Sequence, residues 1–140
     1  MLLTQGGRFG GFSLHVQGGR AHYAYNFAGV ERTALASAPL SLGRHVVVAR
    51  LAPARGIAMR AELVVDGVLA GEVEIPHTAP FRFALAGEGM CCGYAGGTPV
   101  VESYAPPFRF TGVLYDVTID VSGSPPVDEA AEMERAWMVQ

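Results

Sequence analysis

The sequence predicts an all-β fold: two packed antiparallel sheets, forming a β-sandwich, with one short C-terminal helix. Three observations predict it. Apolar and polar residues alternate with the period of a strand over 12–17, 20–27 and 113–121. Glycine-bearing turn pairs, Gly18-Gly19 and Asp66-Gly67, sit between such runs where a two-residue hairpin turn requires positive φ. Gly- and Pro-rich joints at 52–53, 76–80, 87–89, 93–99 and 106–107 interrupt the chain too often for long helices.

The elements follow in order. Residues 12–17 and 20–27 form the first hairpin. One face carries Phe12, Leu14, Val16, Tyr23, Tyr25 and Phe27; the other, polar face carries Ser13, His15, Gln17, His22 and Asn26. The nearly all-apolar run 45–51 predicts a strand covered on both sides. Residues 58–65 and 68–75 form a second hairpin around Asp66-Gly67, with Glu72 and Glu74 on its solvated face. A further strand is expected over 81–85. The run 113–121 is the clearest alternation in the chain, with apolar odd positions and Asp116, Thr118 and Asp120 facing the other way. After Pro125-Pro126, Asp128 can cap a helix whose first turn is acidic and whose later part carries Arg135. Met133 and Trp137 share a face of that helix at i, i+4 spacing. The expected organisation is one sandwich domain over 1–124, with a helical extension over 125–140 docked on it.

Composition removes several function classes. Of 140 residues, 50% are hydrophobic and 16% charged, too apolar for a disordered chain. Net charge is −3, and all ten basic residues are Arg, scattered from Arg8 to Arg135, so no nucleic-acid footprint is expected. No apolar run approaches the roughly 18 residues of a membrane helix, and residues 1–4 do not read as a signal peptide, so a cytoplasmic location is expected. Cys91 and Cys92 are adjacent; strand neighbours point to opposite faces and do not readily bridge.

Groups able to do chemistry do not converge. His15 and His22 face each other across the first hairpin, but a third metal ligand is not evident, so neither metal nor cofactor is expected. His45 begins a strand and His77 lies in a loop; neither is assigned a role. Asp116, Thr118 and Asp120 could touch a sugar or Ca²⁺, although a solvent-facing strand is the simpler reading. Ser41, Ser103 and Ser124 lack a nucleophile-elbow context, and residues 6–11 lack the Lys-Ser/Thr of a phosphate loop. The chain is therefore expected not to be an enzyme.

The stretch Gly6-Gly7-Arg8-Phe9-Gly10-Gly11-Phe12-Ser13-Leu14 resembles the opening of the C-terminal β-sandwich domain of large bacterial arylsulfatases. The likeness continues through Tyr23-Ala24-Tyr25-Asn26-Phe27, Gly29, Glu31-Arg32-Thr33 and 40–45. It resumes at Val64-Val65-Asp66-Gly67, Thr98-Pro99-Val100, Tyr104, Pro107-Phe108-Arg109-Phe110-Thr111-Gly112 and Val117-Thr118-Ile119-Asp120. The resemblance implies a jelly-roll, concanavalin A-like sandwich and a bacterial accessory domain without catalysis. The family's catalytic motif (Cys or Ser, any residue, Pro, any residue, Arg) belongs to a preceding domain and is absent here; neither Cys91 nor Cys92 fits it. Ala95 and Val101 stand where the family often has an acidic residue and a hydroxyl. The family sandwich usually has one more strand upstream, so a sandwich starting near Leu2-Leu3 would expose unpaired backbone. That gap implies a homodimer, or a sulfatase-like partner domain, covering it. The other reading is a module for a carbohydrate or small ligand, with Arg8, His15, His22, Asn26, Arg32, Tyr94 and Tyr104 as candidate contacts.

Overall fold

The computed structural model describes residues 1–78 and 89–122. All regular structure among them is β. The first strands are β1 (Leu3–Gly7), β2 (Gly10–Gln17), β3 (Arg20–Phe27) and β4 (Glu31–Pro39). There follow β5 (Val47–Pro53), β6 (Met59–Val65) and β7 (Val68–Ile75), then the short β8 (Met90–Cys92), β9 (Tyr94–Ala95) and β10 (Phe108–Arg109). They form a five-stranded sheet in the order β4-β3-β2-β1-β8, a three-stranded sheet β5-β6-β7 and a small pair β10-β9. Every ladder is antiparallel.

Local sequence accounts for the registers. In the first hairpin Phe12 pairs with Tyr25, Leu14 with Tyr23 and His15 with His22, so the two alternations stay in phase. The β6–β7 turn places Asp66 at φ 51 and Gly67 at φ 80, the twist a two-residue hairpin needs. Between β1 and β2, Gly6 lies opposite Gly11. A Cβ on Gly11 would come within 2.0 Å of the Gln5 carbonyl oxygen, and one on Gly6 within 2.1 Å of the Gly10 carbonyl oxygen. The repeated glycines at 6–11 are thus a steric requirement of two backbones in close contact.

Two apolar layers hold the molecule. Ala21 and Tyr23 of the five-stranded sheet meet Ala61, Leu63 and Ile75 of the three-stranded sheet, joined by Phe12, Leu14, Tyr25, Leu35, Val47 and Val65. The face expected to be apolar is therefore the one that packs sheet on sheet. The opposite face of the five-stranded sheet is also covered. Segment 95–108 lies over it and buries Ala24 with Ala95, Val100, Val101 and Tyr104.

Three expectations need correction. The polar face of the first hairpin, which offered His15 and Asn26 as ligand contacts, is largely interior: Ser13, His15 and Asn26 are 0%, 1% and 1% exposed. Of these, Asn26 reaches the Val100 carbonyl of the covering loop, while Ser13 Oγ and His15 Nδ1 lie 3.4 Å apart. The run 45–51 is not covered on both sides among the described residues: β5 is at the edge of the described sheet, and its residues from Arg50 to Pro53 are exposed. Its apolar content reflects one partly buried face, on which Val47 and Ala49 pack against the core. Residues 113–121 are not a strand: no described residue forms a ladder with them, and Val113, Tyr115 and Val121 are exposed. Alternation makes a segment competent to be a strand; pairing makes it one. The expected strand over 81–85, the helix after Pro125-Pro126 and the 1–124/125–140 boundary lie outside the described residues. No helix of the described residues is long and apolar enough to cross a membrane.

Candidate functional site

The polar side of the first hairpin, with the loop over it, gathers most of the candidate residues. Asn26, on β3, points into that layer. Its Nδ2 donates to the carbonyls of Gly7 (3.1 Å), Arg8 (3.0 Å) and Val100 (2.9 Å). Its Oδ1 accepts from the Gly29 N–H at 2.9 Å. One side chain thus fastens the β1–β2 turn, the β3–β4 turn and the covering loop to one another. Both ends of this buried amide are engaged inside the fold.

Arg8 occupies the tip of the β1–β2 turn. Its N–H donates to Thr98 Oγ1 at 3.0 Å while its side chain is exposed. Arg32, exposed on β4, lies opposite Asn26 in the ladder. The two arginines share the Asn26 neighbourhood through backbone and register.

His15 and His22 stack with ring centroids 5.1 Å apart and planes 10° from parallel. Tyr104 and Phe108 close on His15, with centroids at 5.0 and 5.8 Å. Nitrogen lone pairs lie in the plane of the ring, so two parallel stacked imidazoles do not aim at a common metal. Among the described residues no group of three or more His, Cys, Asp or Glu could hold a metal ion. His15 Nδ1 lies 3.4 Å from Ser13 Oγ, and its buried Nε2 has no hydrogen-bond partner among the described residues. Burial, with the His22 ring and the terminal ammonium nearby, lowers the His15 pKa to about 4. It is a neutral, packed histidine. His22 Nε2 donates to the Gln17 carbonyl at 3.3 Å. The Tyr104 hydroxyl accepts from the Val100 N–H at 3.0 Å, setting the loop from beneath.

Tyr94 stands apart, on β9, with the Arg109 guanidinium carbon 5.0 Å above its ring centroid. Together with Thr4, Gly6, Cys91, Gly96, Gly97 and Thr98 it lines a shallow cleft of about 150 Å³. Ligand pockets usually run to about 300 Å³ and more. The structure therefore joins His15, His22 and Tyr104 in one cluster, ties Asn26 to the Arg8 backbone, and leaves Arg32 and Tyr94 as separate surface groups. Asp116 and Asp120 bond locally, to Thr118 at 3.4 Å and to the Ser122 N–H at 2.9 Å.

One constellation escaped sequence reasoning. His45 Nδ1 lies 2.7 Å from Asp66 Oδ2, and His45 Nε2 lies 2.9 Å from the Ser41 carbonyl and 3.4 Å from the Ser41 hydroxyl. The connectivity is that of a serine–histidine–aspartate triad, but the bonding is not. A carbonyl at 2.9 Å only accepts, so Nε2 carries a proton toward it and offers no lone pair to the hydroxyl. Asp66 was visible in the sequence as a turn residue; that His45 reaches it across 21 positions is a product of the β5–β6 register.

No protein-family model matches the chain, and no curated protein and no solved structure is significantly similar to it.

Proposed function

We propose that the chain is a non-catalytic accessory and interaction domain, a sandwich of jelly-roll, concanavalin A-like type resembling the C-terminal domain of bacterial arylsulfatases. The observation that carries this reading is the fate of the polar groups. Asn26 and Tyr104 are hydrogen-bonded inside the fold, and His15 is sealed beneath the loop. The described surface also carries large exposed apolar side chains. Phe9, Leu42, Val68, Val113 and Tyr115 are exposed by 50%, 104%, 70%, 70% and 70%. Exposed apolar groups of this size serve contact between macromolecules better than acid–base chemistry. The partner in this reading is a second copy or a sulfatase-like domain.

A carbohydrate or small-ligand module is the second reading, favoured by the Tyr94–Arg109 stack at the rim of the cleft. Sedimentation at micromolar concentration, paired with a thermal-shift screen across glycans, separates the two. A concentration-dependent dimer, or a complex with a sulfatase catalytic domain, with no glycan raising the Tm, supports the interaction domain. A monomer that binds no such domain and is stabilised by a glycan overturns it. A ligand at about 100 times its Kd adds roughly 2.7 kcal/mol, well within detection.

A further inference from the structure

The segment 40–46 carries the chain from β4 of the five-stranded sheet to β5 of the three-stranded sheet. It has no regular structure of its own, and a few bonds set its shape. Leu40 N–H donates to the Gly19 carbonyl at 2.7 Å at its start. At its end Val46 N–H donates to Asp66 Oδ1 at 2.8 Å, and Asp66 N–H donates to the Val46 carbonyl at 2.9 Å. Between these anchors the segment is closed by His45, whose two ring nitrogens reach Asp66 Oδ2 and the Ser41 carbonyl at 2.7 and 2.9 Å.

Both of those oxygens accept when Asp66 is ionised, so this geometry is satisfied in full by a proton on each nitrogen, the imidazolium form. We propose that His45 is a protonation-controlled latch, which holds the 40–46 crossover closed against the β6–β7 turn as the imidazolium and releases it when Nε2 loses its proton. The neutral ring keeps its Nδ1–H on the carboxylate. Its Nε2 lone pair then faces a carbonyl lone pair at hydrogen-bond distance, and the attraction becomes repulsion.

The surroundings favour the charged form. Asp66 faces the ring from the turn and, with the Ser41 carbonyl, raises the pKa of His45 above the ordinary histidine value. Among the described residues, Asp66 is the charged group in contact with the ring. Arg44, next in the chain, is turned away, its guanidinium carbon 4.9 Å over the Tyr115 ring. The His45 side chain is only 17% exposed, yet it sits at the surface, where protons exchange freely. The segment it closes presents Leu42 and Val46, exposed by 104% and 61%. The inference stands on this geometry and does not depend on the proposed function.

The test follows the ring and the crossover together in the whole chain. Nitrogen-15 NMR of the His45 ring is recorded across pH, with amide exchange of residues 42–46 corrected for its intrinsic pH dependence. The Asp66→Asn variant keeps an acceptor for Val46 N–H and a residue tolerant of positive φ, so the turn is retained. The latch requires both ring nitrogens protonated at pH 6.5, a midpoint above 6.5, and crossover exchange rising about tenfold through that midpoint, as loss of one charge-assisted bond implies. In Asp66→Asn the midpoint falls and the exchange step moves with it. A ring that is neutral at pH 6.5, or exchange that ignores the His45 titration in both proteins, overturns the proposal.

Discussion

Asn26 Nδ2 donates to the Val100 carbonyl at 2.9 Å, across 74 positions of sequence, in an environment where Asn26 is 1% exposed. The same nitrogen holds the Gly7 and Arg8 carbonyls. Replacing it by alanine removes the partner of three carbonyls and one N–H, the Gly7 and Val100 bonds being buried and the Arg8 and Gly29 bonds part-buried. Asn26→Ala is therefore expected to lose about 2–4 kcal/mol, at roughly 1 kcal/mol per net bond plus the cost of unsatisfied groups. Urea unfolding checks this. Asn26→Asp should be at least as damaging at neutral pH, because a carboxylate accepts and the carbonyls around it do not donate.

Buried, neutral His15 makes the fold acid-sensitive. Its pKa is about 4 in the folded state, against 6.5 when unfolded. Below pH 6.5 the unfolded chain binds the extra proton, so stability falls as pH drops from 6.5 toward 4 and is fully present above 6.5. The loss amounts to about 3 kcal/mol by the low end. Urea midpoints measured between pH 7.5 and 4.5 should show this slope. His15→Phe, which keeps a ring beside Tyr104 and Phe108, should flatten it. His45 acts with the opposite sign: its raised pKa stabilises at low pH and that contribution is lost as pH climbs through it.

Close backbone contact at Gly11 predicts a severe effect from a single methyl group. A Cβ there would lie 2.0 Å from the Gln5 carbonyl oxygen, at φ +134. The neighbour is backbone in a paired strand and cannot swing aside. Gly11→Ala should destabilise by more than about 2 kcal/mol, whereas Gly18→Ala, with open space around its Cβ, should cost about 1 kcal/mol from positive φ alone. Thermal unfolding of the pair separates clash from conformational strain.

Leu63 is 0% exposed at the centre of the sheet-on-sheet layer. Leu63→Ala should cost about 3–4 kcal/mol through lost burial and the cavity left behind. A calorimetric Tm depression much smaller than that of Asn26→Ala would show that the loop-covered face, not the sheet-on-sheet layer, dominates the stability.

The two main hairpins were legible because their signals are local. Gly18-Gly19 and Asp66-Gly67 fix the turns, and the alternating runs beside them fix which residues share a face. The candidate site was legible only in part. The His15–His22 pairing follows from the hairpin register, but the loop that buries it arrives from 95–108, and no spacing in the first hairpin encodes that. The His45–Asp66 pair was missed for the same reason: each residue looks ordinary in its own segment.

By itself the sequence determined the strand-competent segments, the turns and the face on which Phe12, Leu14, Tyr23 and Tyr25 gather, since these depend on backbone torsions and on a side-chain period of two. Only the tertiary structure decided that the polar side of the same hairpin is interior, that β5 lies at the edge of the described sheet, and that 113–121 pairs with no described strand. Burial and pairing are relations between distant segments. A residue's pattern states what it can satisfy, and the segment that comes to lie against it settles what it does satisfy.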